Sequence, residues 1–130
     1  MLLDTSGLLA LLDGREPQHQ IAREAYTHAT RRVTHGYVLA ELAALGNARK
    51  IPPASVVEFL MSLLANPDIE MIWPDEALTA QALALLASRL RQGYSLCDAT
   101  SFVVMRARDI QVALSTDQHF QDEGFVRLLS

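Results

Sequence analysis

Short strand-like segments separated by longer helical stretches are the feature that most restricts what this chain can fold into. The strand-like segments are residues 1–4, 32–34, 69–73, 112–115 and 125–128. Strands separated by helices pair in parallel, because the chain returns to the same sheet edge through a crossover helix. The sequence therefore predicts an α/β fold: a three-layer α/β/α sandwich around a central parallel five-stranded sheet.

The intervening segments carry helical periodicity of differing strength. Helices are predicted over residues 5–12, 18–30, 36–48, 53–65, 75–91 and 96–108. In the third of these, the apolar residues follow the helical period most clearly: Val38, Leu39, Leu42 and Leu45. We expect a weak apolar stripe on the second helix at Ile21, Ala22, Ala25 and Ala29. In the fourth helix we expect burial of Val56, Phe59, Leu60, Leu63 and Leu64.

Length and composition favour one domain over residues 1–130, with half of the residues hydrophobic and able to form a core. The single cysteine, Cys97, excludes an internal disulfide and fits a cytoplasmic location. We expect Cys97 to be a small core side chain and not a nucleophile. The N-terminus lacks a basic segment, so a signal peptide is not expected, and no apolar run is long enough for a membrane span.

The charge balance argues against a general nucleic-acid coat, because the net charge is −4. Ten of the eleven basic residues are nevertheless Arg, whose forked guanidinium suits phosphate better than a point charge does. Two explanations stay open, a genomic composition bias and a local basic rim around an acidic site. The candidates for such a rim are Arg15, Arg31, Arg32, Arg49, Lys50 and Arg91, each of which is also explained by solvated surface charge.

Four acids lie where a parallel sheet would form a site. Asp4 ends the first strand, and Asp117 follows the strand at 112–115. If these strands are neighbours where the strand order reverses, their carboxylates converge beyond the carboxyl edge. Glu41 and Asp98 interrupt helical runs that otherwise look buried, and a buried unpaired carboxylate is costly. A shared divalent cation would remove that cost.

Each acid also has a local explanation. Asp4 is a preferred N-cap residue for the helix that follows it. Asp98 lies three residues after Ser95 and can form a capping box. Glu41 can face water on an amphipathic helix, and Asp117 can accept backbone hydrogen bonds in a turn.

Oxygen ligands without a His/Cys cluster favour Mg²⁺ or Mn²⁺ over zinc. The four histidines show no metal-ligand spacing, and we expect them at the surface or in loops: His19, His28, His35 and His119. A cation held by carboxylates supplies hydroxide near neutral pH, and a second ion stabilises the leaving oxygen of an in-line displacement.

Four segments in order resemble the PIN domain, and more closely the ribonuclease toxins of VapBC-type toxin–antitoxin modules. They are Leu-Asp-Thr-Ser at the N-terminus, Val-Leu-Ala-Glu-Leu near residue 40, Ser-Leu-Cys-Asp-Ala near 98 and Ser-Thr-Asp-Gln-His-Phe near 117. The resemblance spans residues 3–128, and order and spacing carry it more than any single motif. It implies a parallel five-stranded sheet between helices, in agreement with the pattern above.

The resemblance implies that the catalytic and metal-binding residues are Asp4, Glu41, Asp98 and Asp117. Asp4 and Asp98 would be the main ligands, Glu41 would complete the shell, and Asp117 would hold a second metal or a metal-bound water. Hydroxyls of Thr5, Ser6 and Thr116 would orient carboxylates or metal waters, unless they only form local caps and turns. RNA cleavage would leave a 5′-phosphate and a 3′-hydroxyl.

The resemblance also implies partners: an RNA substrate, an antitoxin that neutralises the enzyme, and a second copy in a homodimer. The segments 36–48 and 52–65 are candidate dimer faces, although both are also explained as core. The alternatives are a housekeeping RNA-processing nuclease and a non-catalytic PIN-like module for RNA binding or assembly. All four acids are present, which favours catalysis.

Two other hydrolytic or transfer chemistries are excluded. The Asp-Thr-Ser-Gly turn at 4–7 is similar to aspartic protease turns, but that family needs a mostly β fold. A haloacid-type phosphotransferase needs Asp-x-Asp after the first strand, and here Ser6 stands in place of the second Asp.

Overall fold

A computed structural model describes all of residues 1–130 and contains five strands and seven helices. The strands are β1 (Leu2–Leu3), β2 (Arg32–His35), β3 (Ile69–Ile72), β4 (Val112–Leu114) and β5 (Val126–Arg127). The helices are α1 (Thr5–Leu12), α2 (His19–His28), α3 (Gly36–Ala48), α4 (Pro53–Ala65), α5 (Glu76–Ser88), α6 (Leu96–Ala107) and α7 (Gln118–Asp122).

The five strands form one sheet in the order β3-β2-β1-β4-β5, and every neighbouring pair is parallel. The chain leaves β1 towards β2 on one side and later enters β4 on the other side. The strand order therefore reverses between β1 and β4, which is where open α/β sheets bind ligands. The predicted neighbourhood of the first strand and the 112–115 strand is confirmed.

Two separate cores show that helices cover both faces of the sheet. Leu3 belongs to a cluster with residues of α1, α3 and α4, whereas Leu2 belongs to a cluster with residues of α6 and α7. Successive residues of a strand point to opposite faces of the sheet, so Leu3 packs in the core on one face and Leu2 in the core on the other. The predicted three-layer α/β/α sandwich with a parallel five-stranded sheet is confirmed.

The predicted helix burial is wrong at two positions. Ile21 on α2 and Leu64 on α4 are about half exposed, and α2 buries only Ala22. Both helices lie in an outer layer and meet the rest of the protein along a narrow stripe, so residues beside that stripe stay in solvent. Helix α7 was not predicted, because five residues give no usable period. No helix in this fold has the length and apolar character needed to cross a membrane.

Candidate metal centre at the carboxyl edge of the sheet

Asp4 lies directly beyond β1 and is almost completely buried, with 4% of its surface exposed. Its Oδ2 accepts a hydrogen bond from Ser115 Oγ at 2.7 Å and a longer one from Ser6 Oγ at 3.4 Å. Asp4 occupies the N-cap position of α1, but its side chain makes no capping hydrogen bond. Its carboxylate is therefore not used for the helix cap that the local explanation requires.

Two serines connect the turn after β1 to the turn after β4. Ser6 Oγ accepts the backbone N–H of Thr116 at 2.9 Å, and Ser115 Oγ accepts the N–H of Asp117 at 2.9 Å. Ser115 therefore contacts Asp4 through its hydroxyl and Asp117 through the backbone. This arrangement connects Asp4 and Asp117 through shared hydrogen-bond partners.

Gly7 allows this close approach. A Cβ at residue 7 would lie 2.0 Å from the carbonyl oxygen of Leu114, a distance that no side chain can occupy. The first turn of α1 therefore rests directly on the backbone of β4. This contact explains why the N-terminal segment continues with a glycine after Asp4, Thr5 and Ser6.

Asp98 forms the predicted capping box and also faces the site. Its backbone N–H donates to Ser95 Oγ at 3.0 Å, and its Oδ2 accepts the Ser95 N–H at 3.0 Å. The same Oδ2 lies 3.0 Å from His119 Nδ1. Since both contacts use Oδ2, the other oxygen of this buried carboxylate is available to a further ligand. The local and the functional explanations of Asp98 are thus compatible.

Asp117 meets Asp98 through a histidine. Asp117 Oδ1 accepts the N–H of His119 at 2.9 Å and lies 3.4 Å from His119 Nδ1. Ligand atoms of Asp98, Asp117 and His119 all lie within 4.8 Å of one another, which is a spacing that one metal ion can bridge. The turn bond expected for Asp117 is present, and again it leaves one carboxylate oxygen without a contact.

Glu41 is exposed on α3, in agreement with the alternative that it faces water on an amphipathic helix. Its charge nevertheless acts on two buried groups of the site. Burial raises the pKa of the Cys97 thiol, and the charges of Glu41 and Asp4 raise it further. Glu41 thus lies beside Cys97 and Asp4 on the open side of the cluster. Cys97 itself is buried and protonated, as expected for a core side chain.

Burial raises the pKa of Asp4 to about 7; the Ser115 hydrogen bond opposes this, whereas the charges of Asp98 and Glu41 add to it. For His119, burial alone would lower the pKa, but the hydrogen bond to Asp98 and the charge of Asp117 outweigh it and raise the pKa. Burial is thus the main cause at Asp4, whereas neighbouring carboxylates cause the shift at His119 and add to the one at Asp4.

The chemistry of the cluster fits a divalent cation. None of the eleven Lys and Arg side chains forms a salt bridge with any of the four acids. Thr5 Oγ1, next to Asp4, is buried without a hydrogen-bond partner, which is rare for a native hydroxyl. Carboxylate oxygens with an unsatisfied hydroxyl beside them are the donors that Mg²⁺ and Mn²⁺ prefer.

The three hydroxyl residues expected to support the acids behave differently. Ser6 Oγ donates to Asp4 at 3.4 Å and lies 3.2 Å from Ser115 Oγ, whereas Thr5 Oγ1 has no hydrogen-bond partner. Thr116 contributes its backbone N–H and carbonyl, but its hydroxyl makes no hydrogen bond. Ser115 was not among the expected residues, although its position at the end of the strand beside β1 was a usable signal.

The expectation that the histidines are surface or loop residues is wrong for two of them. His35 is completely buried, with Nε2 at 2.8 Å from Ser101 Oγ, and burial lowers its pKa to about 4. His119 is half-buried between Asp98 and Asp117. The contact between Asp117 and His119 was not predicted, because it depends on the N-terminal turn of α7, which the sequence did not reveal.

Most of the six basic residues considered for an RNA-guiding rim are engaged elsewhere. Arg15, Arg31 and Arg49 pair with other acids, and Arg32 donates to the Tyr26 carbonyl. The side chains of Lys50 and Arg91 make no hydrogen bond or salt bridge. A different residue, Arg127 on β5, donates to the Thr116 carbonyl at 2.9 Å and so secures the turn before Asp117.

A cavity of about 490 Å³ lies between α1, α2 and α4, away from the acids. Its lining includes Leu11, Arg23 and Phe59 and contains no carboxylate. Size does not single out this cavity, since another of about 500 Å³ lies against α4, and the acids gathered at the carboxyl edge of the sheet are the better candidate site.

Comparison with known proteins gives a consistent result. The family model of the PIN domain matches residues 1–125. The 23S rRNA-specific endonuclease VapC20 of Mycobacterium tuberculosis strain H37Rv is 33% identical over 129 residues, which cover 98% of this chain and 97% of the relative. VapC20 of strain CDC 1551 / Oshkosh matches to the same extent.

A solved structure agrees with these relatives. The crystal structure of Mycobacterium tuberculosis VapC20, described as a sarcin–ricin loop cleaving toxin, superposes with a TM-score of 0.87 at 28% identity. The superposition covers 96% of this chain and 95% of that chain. The similarity therefore extends over the full sheet and its helices.

Proposed function

The chain belongs to the PIN domain family, and from this premise we propose that it is a metal-dependent endoribonuclease, the toxin of a toxin–antitoxin pair. The observation that carries the proposal is a group of acids at the point where the strand order reverses, none of them paired with Lys or Arg: Asp4, Asp98 and Asp117, with the charge of Glu41 acting on Asp4. VapC20, which matches nearly the whole chain, is a 23S rRNA-specific endonuclease. Ribosomal RNA is therefore the first substrate to test.

The metal would be Mg²⁺ or Mn²⁺, held by Asp4, Asp98 and Asp117 with Glu41 completing the site. When bound, such an ion supplies an activated water and stabilises charge on the phosphate being attacked. Ser115 and Ser6 orient the Asp4 carboxylate, and Ser95 together with His119 orients Asp98. We propose that cleavage leaves a 5′-phosphate and a 3′-hydroxyl.

The burial of the acids indicates from which side a substrate reaches the site. Asp4 is buried behind the two serines, whereas Glu41 is exposed on α3. The phosphate therefore approaches from the Glu41 side, and Asp4 lies at the closed end. Cys97 is not placed as a nucleophile, because its thiol is buried and burial raises its pKa.

The experiment that tests the activity is cleavage of total RNA by the purified protein with Mn²⁺ or Mg²⁺, with EDTA, and with the Asp98→Asn protein. We expect cleavage by the wild type that EDTA abolishes and that Asp98→Asn lowers at least about a hundredfold. Asp68→Asn, which removes one exposed acid in the turn before β3, is the matched control and keeps full activity. Equal cleavage by the wild type and Asp98→Asn would refute the proposed chemistry.

The toxin role has its own test. Expression of the wild type alone should slow growth, Glu41→Gln should not, and co-expression of the product of an adjacent small gene should restore growth. RNA cleavage without growth arrest would instead favour the housekeeping RNA-processing nuclease. An intact fold that binds RNA without cleaving it would favour the non-catalytic module.

We further propose an antitoxin, an RNA substrate and a second copy of this chain as partners in the cytoplasm. The candidate dimer faces are α3 and α4, where Val57 and Met61 are more than half exposed. Light scattering on the purified protein tests the dimer, and a monomer at all concentrations would contradict it.

A further inference from the structure

Trp73 is the most exposed aromatic side chain beside the acidic site, with 62% of its surface in solvent. It follows β3 directly and so lies at the same carboxyl edge of the sheet as Asp4. The indole contacts the start of α3, and most of its surface is in solvent. Its exposure at this edge leaves an aromatic face available to a ligand that is bound at the acids.

The register of the sheet gives the distance to the site. Asp4 lies two residues beyond Leu2, which pairs with Val33 on β2, and Ile72 pairs with His35, two residues beyond Val33. The backbone of Trp73 thus lies one residue further towards the carboxyl edge than that of Asp4. The two backbones are two strands apart, which is about 10 Å at the usual strand spacing. Stacked nucleotides rise about 3.4 Å each, so two or three of them span that gap.

The absence of a side chain at Gly36 leaves room for the indole of Trp73. A Cβ on Gly36, the first residue of α3, would lie 3.0 Å from Trp73 Cε3 and 3.2 Å from Cζ3. The benzo ring therefore rests against the start of α3, and the same helix carries Glu41. This contact orients the indole relative to α3.

The neighbouring charges select the kind of ligand. Asp75 and Glu76 follow Pro74 immediately, and no Lys or Arg forms a salt bridge with either of them. Two carboxylates repel a phosphate but leave the face of an uncharged base acceptable. Aromatic side chains bind unstacked RNA bases in this way.

We propose that Trp73 is a substrate-positioning residue on which a base of single-stranded RNA stacks, two or three nucleotides from the phosphate that is cleaved. This inference rests on the proposed ribonuclease function. It makes the enzyme prefer unpaired RNA, because a base inside a duplex cannot reach the indole.

Trp73 is the only tryptophan, so intrinsic fluorescence reports on this one side chain. The titration uses the Asp98→Asn protein with Mg²⁺, so that RNA stays intact, and two probes. One is a mixed-sequence single-stranded RNA of twelve nucleotides, and the other is an abasic ribose–phosphate oligomer of the same length. We expect saturable quenching by the RNA and none by the abasic oligomer. No quenching, or equal quenching by both, overturns the proposal.

Kinetics of RNA cleavage give the second readout. Trp73→Ala should raise KM about tenfold, with a smaller change in kcat, and Trp73→Phe should recover most of the loss. The matched control is Val126→Ala on β5, an apolar residue 52% exposed at the opposite end of the sheet, which should leave KM unchanged. An unchanged KM in a folded Trp73→Ala protein overturns the proposal.

Light scattering separates the base from the other occupant of an exposed indole, a second copy of this chain. We expect the same mass for the wild type and Trp73→Ala, and a loss of mass would assign Trp73 to a protein contact and overturn the proposal. If the wild type cleaves no RNA, the proposed function fails, while the fluorescence titration still decides whether bases bind Trp73.

Discussion

Ser115 Oγ donates a hydrogen bond of 2.7 Å to Oδ2 of Asp4, across two neighbouring parallel strands and 111 residues of chain. Ser115 Oγ also accepts a hydrogen bond from the N–H of Asp117. One hydroxyl therefore fixes two acids of the site, and it does so from a position that carries no charge and no metal-ligand signature.

Ser115→Ala tests this relationship. Removal of the hydroxyl leaves the buried Asp4 carboxylate without its shortest hydrogen bond, and loss of such an orienting partner typically costs about 10–100-fold in activity or metal affinity. We expect kcat for RNA cleavage to fall within that range while the thermal unfolding midpoint changes little. The matched control is Thr116→Ala, because the Thr116 hydroxyl makes no hydrogen bond. If both variants lose activity equally, the turn is required but the Ser115 hydroxyl is not.

Gly7→Ala tests the close approach of α1 to β4. The added Cβ would lie 2.0 Å from the Leu114 carbonyl oxygen, so a backbone shift is unavoidable. We expect the free energy of unfolding to fall by about 1–3 kcal/mol, as for other overpacked sites, and metal-dependent activity to fall with it. Gly14→Ala is the control, since its Cβ would meet nothing nearer than His19 Nε2 at 4.0 Å. Equal unfolding curves for the two variants would contradict the account.

His35 makes the stability of the protein depend on pH. Burial lowers its folded-state pKa from 6.5 to about 4, so between these values the unfolded chain binds the extra proton. Its contribution is therefore complete above pH 6.5 and is lost as the pH falls towards 4, by on the order of 3 kcal/mol in all.

Asp4 changes the stability of the protein with pH in the opposite direction to His35, so the two contributions have to be measured separately. Asp4 has a raised pKa in the metal-free protein, so its contribution declines as the pH rises from 3.8 to about 7. Denaturant unfolding of the wild type and His35→Gln in EDTA, compared at pH 5 and pH 7, isolates the histidine. The difference in unfolding free energy between the two proteins should grow with pH, and a constant difference would contradict the buried neutral His35.

Asp4 should also make metal affinity depend on pH. With a pKa of about 7, a proton competes with the cation for this carboxylate in the neutral range. We expect calorimetric Mn²⁺ affinity to fall about tenfold between pH 8 and pH 6, with proton release on binding at pH 6. Affinity that is flat over this range would show that Asp4 is not a ligand or is already ionised.

The sheet and its acids at the strand ends were predictable because their signals are local. Asp4 ends an apolar segment, and the segment before Asp117 has a strand-like run, so the topology rule brings the two together. The capping box at Ser95 and Asp98 was likewise readable from spacing alone.

The remaining features depend on tertiary contacts that no local pattern encodes. Ser115 is polar and unremarkable in sequence, and only the pairing of β1 with β4 gives it Asp4 as a partner. His119 acquires Asp98 through the short helix α7, and His35 is buried because a neutral imidazole is accepted beside Ser101. The sequence left the burial of Glu41 open, because an apolar helix in the outer layer still has a face in solvent.

The most direct test of the central claim is a Mn²⁺ titration of the purified protein at pH 8, followed by electron paramagnetic resonance. We expect saturable binding by the wild type, at least about tenfold weaker binding by Asp98→Asn and by Asp4→Asn, and unchanged binding by Asp68→Asn, which removes the same charge elsewhere. Equal Mn²⁺ binding by all four proteins, or no saturable binding by the wild type, would show that these acids do not jointly hold a metal ion.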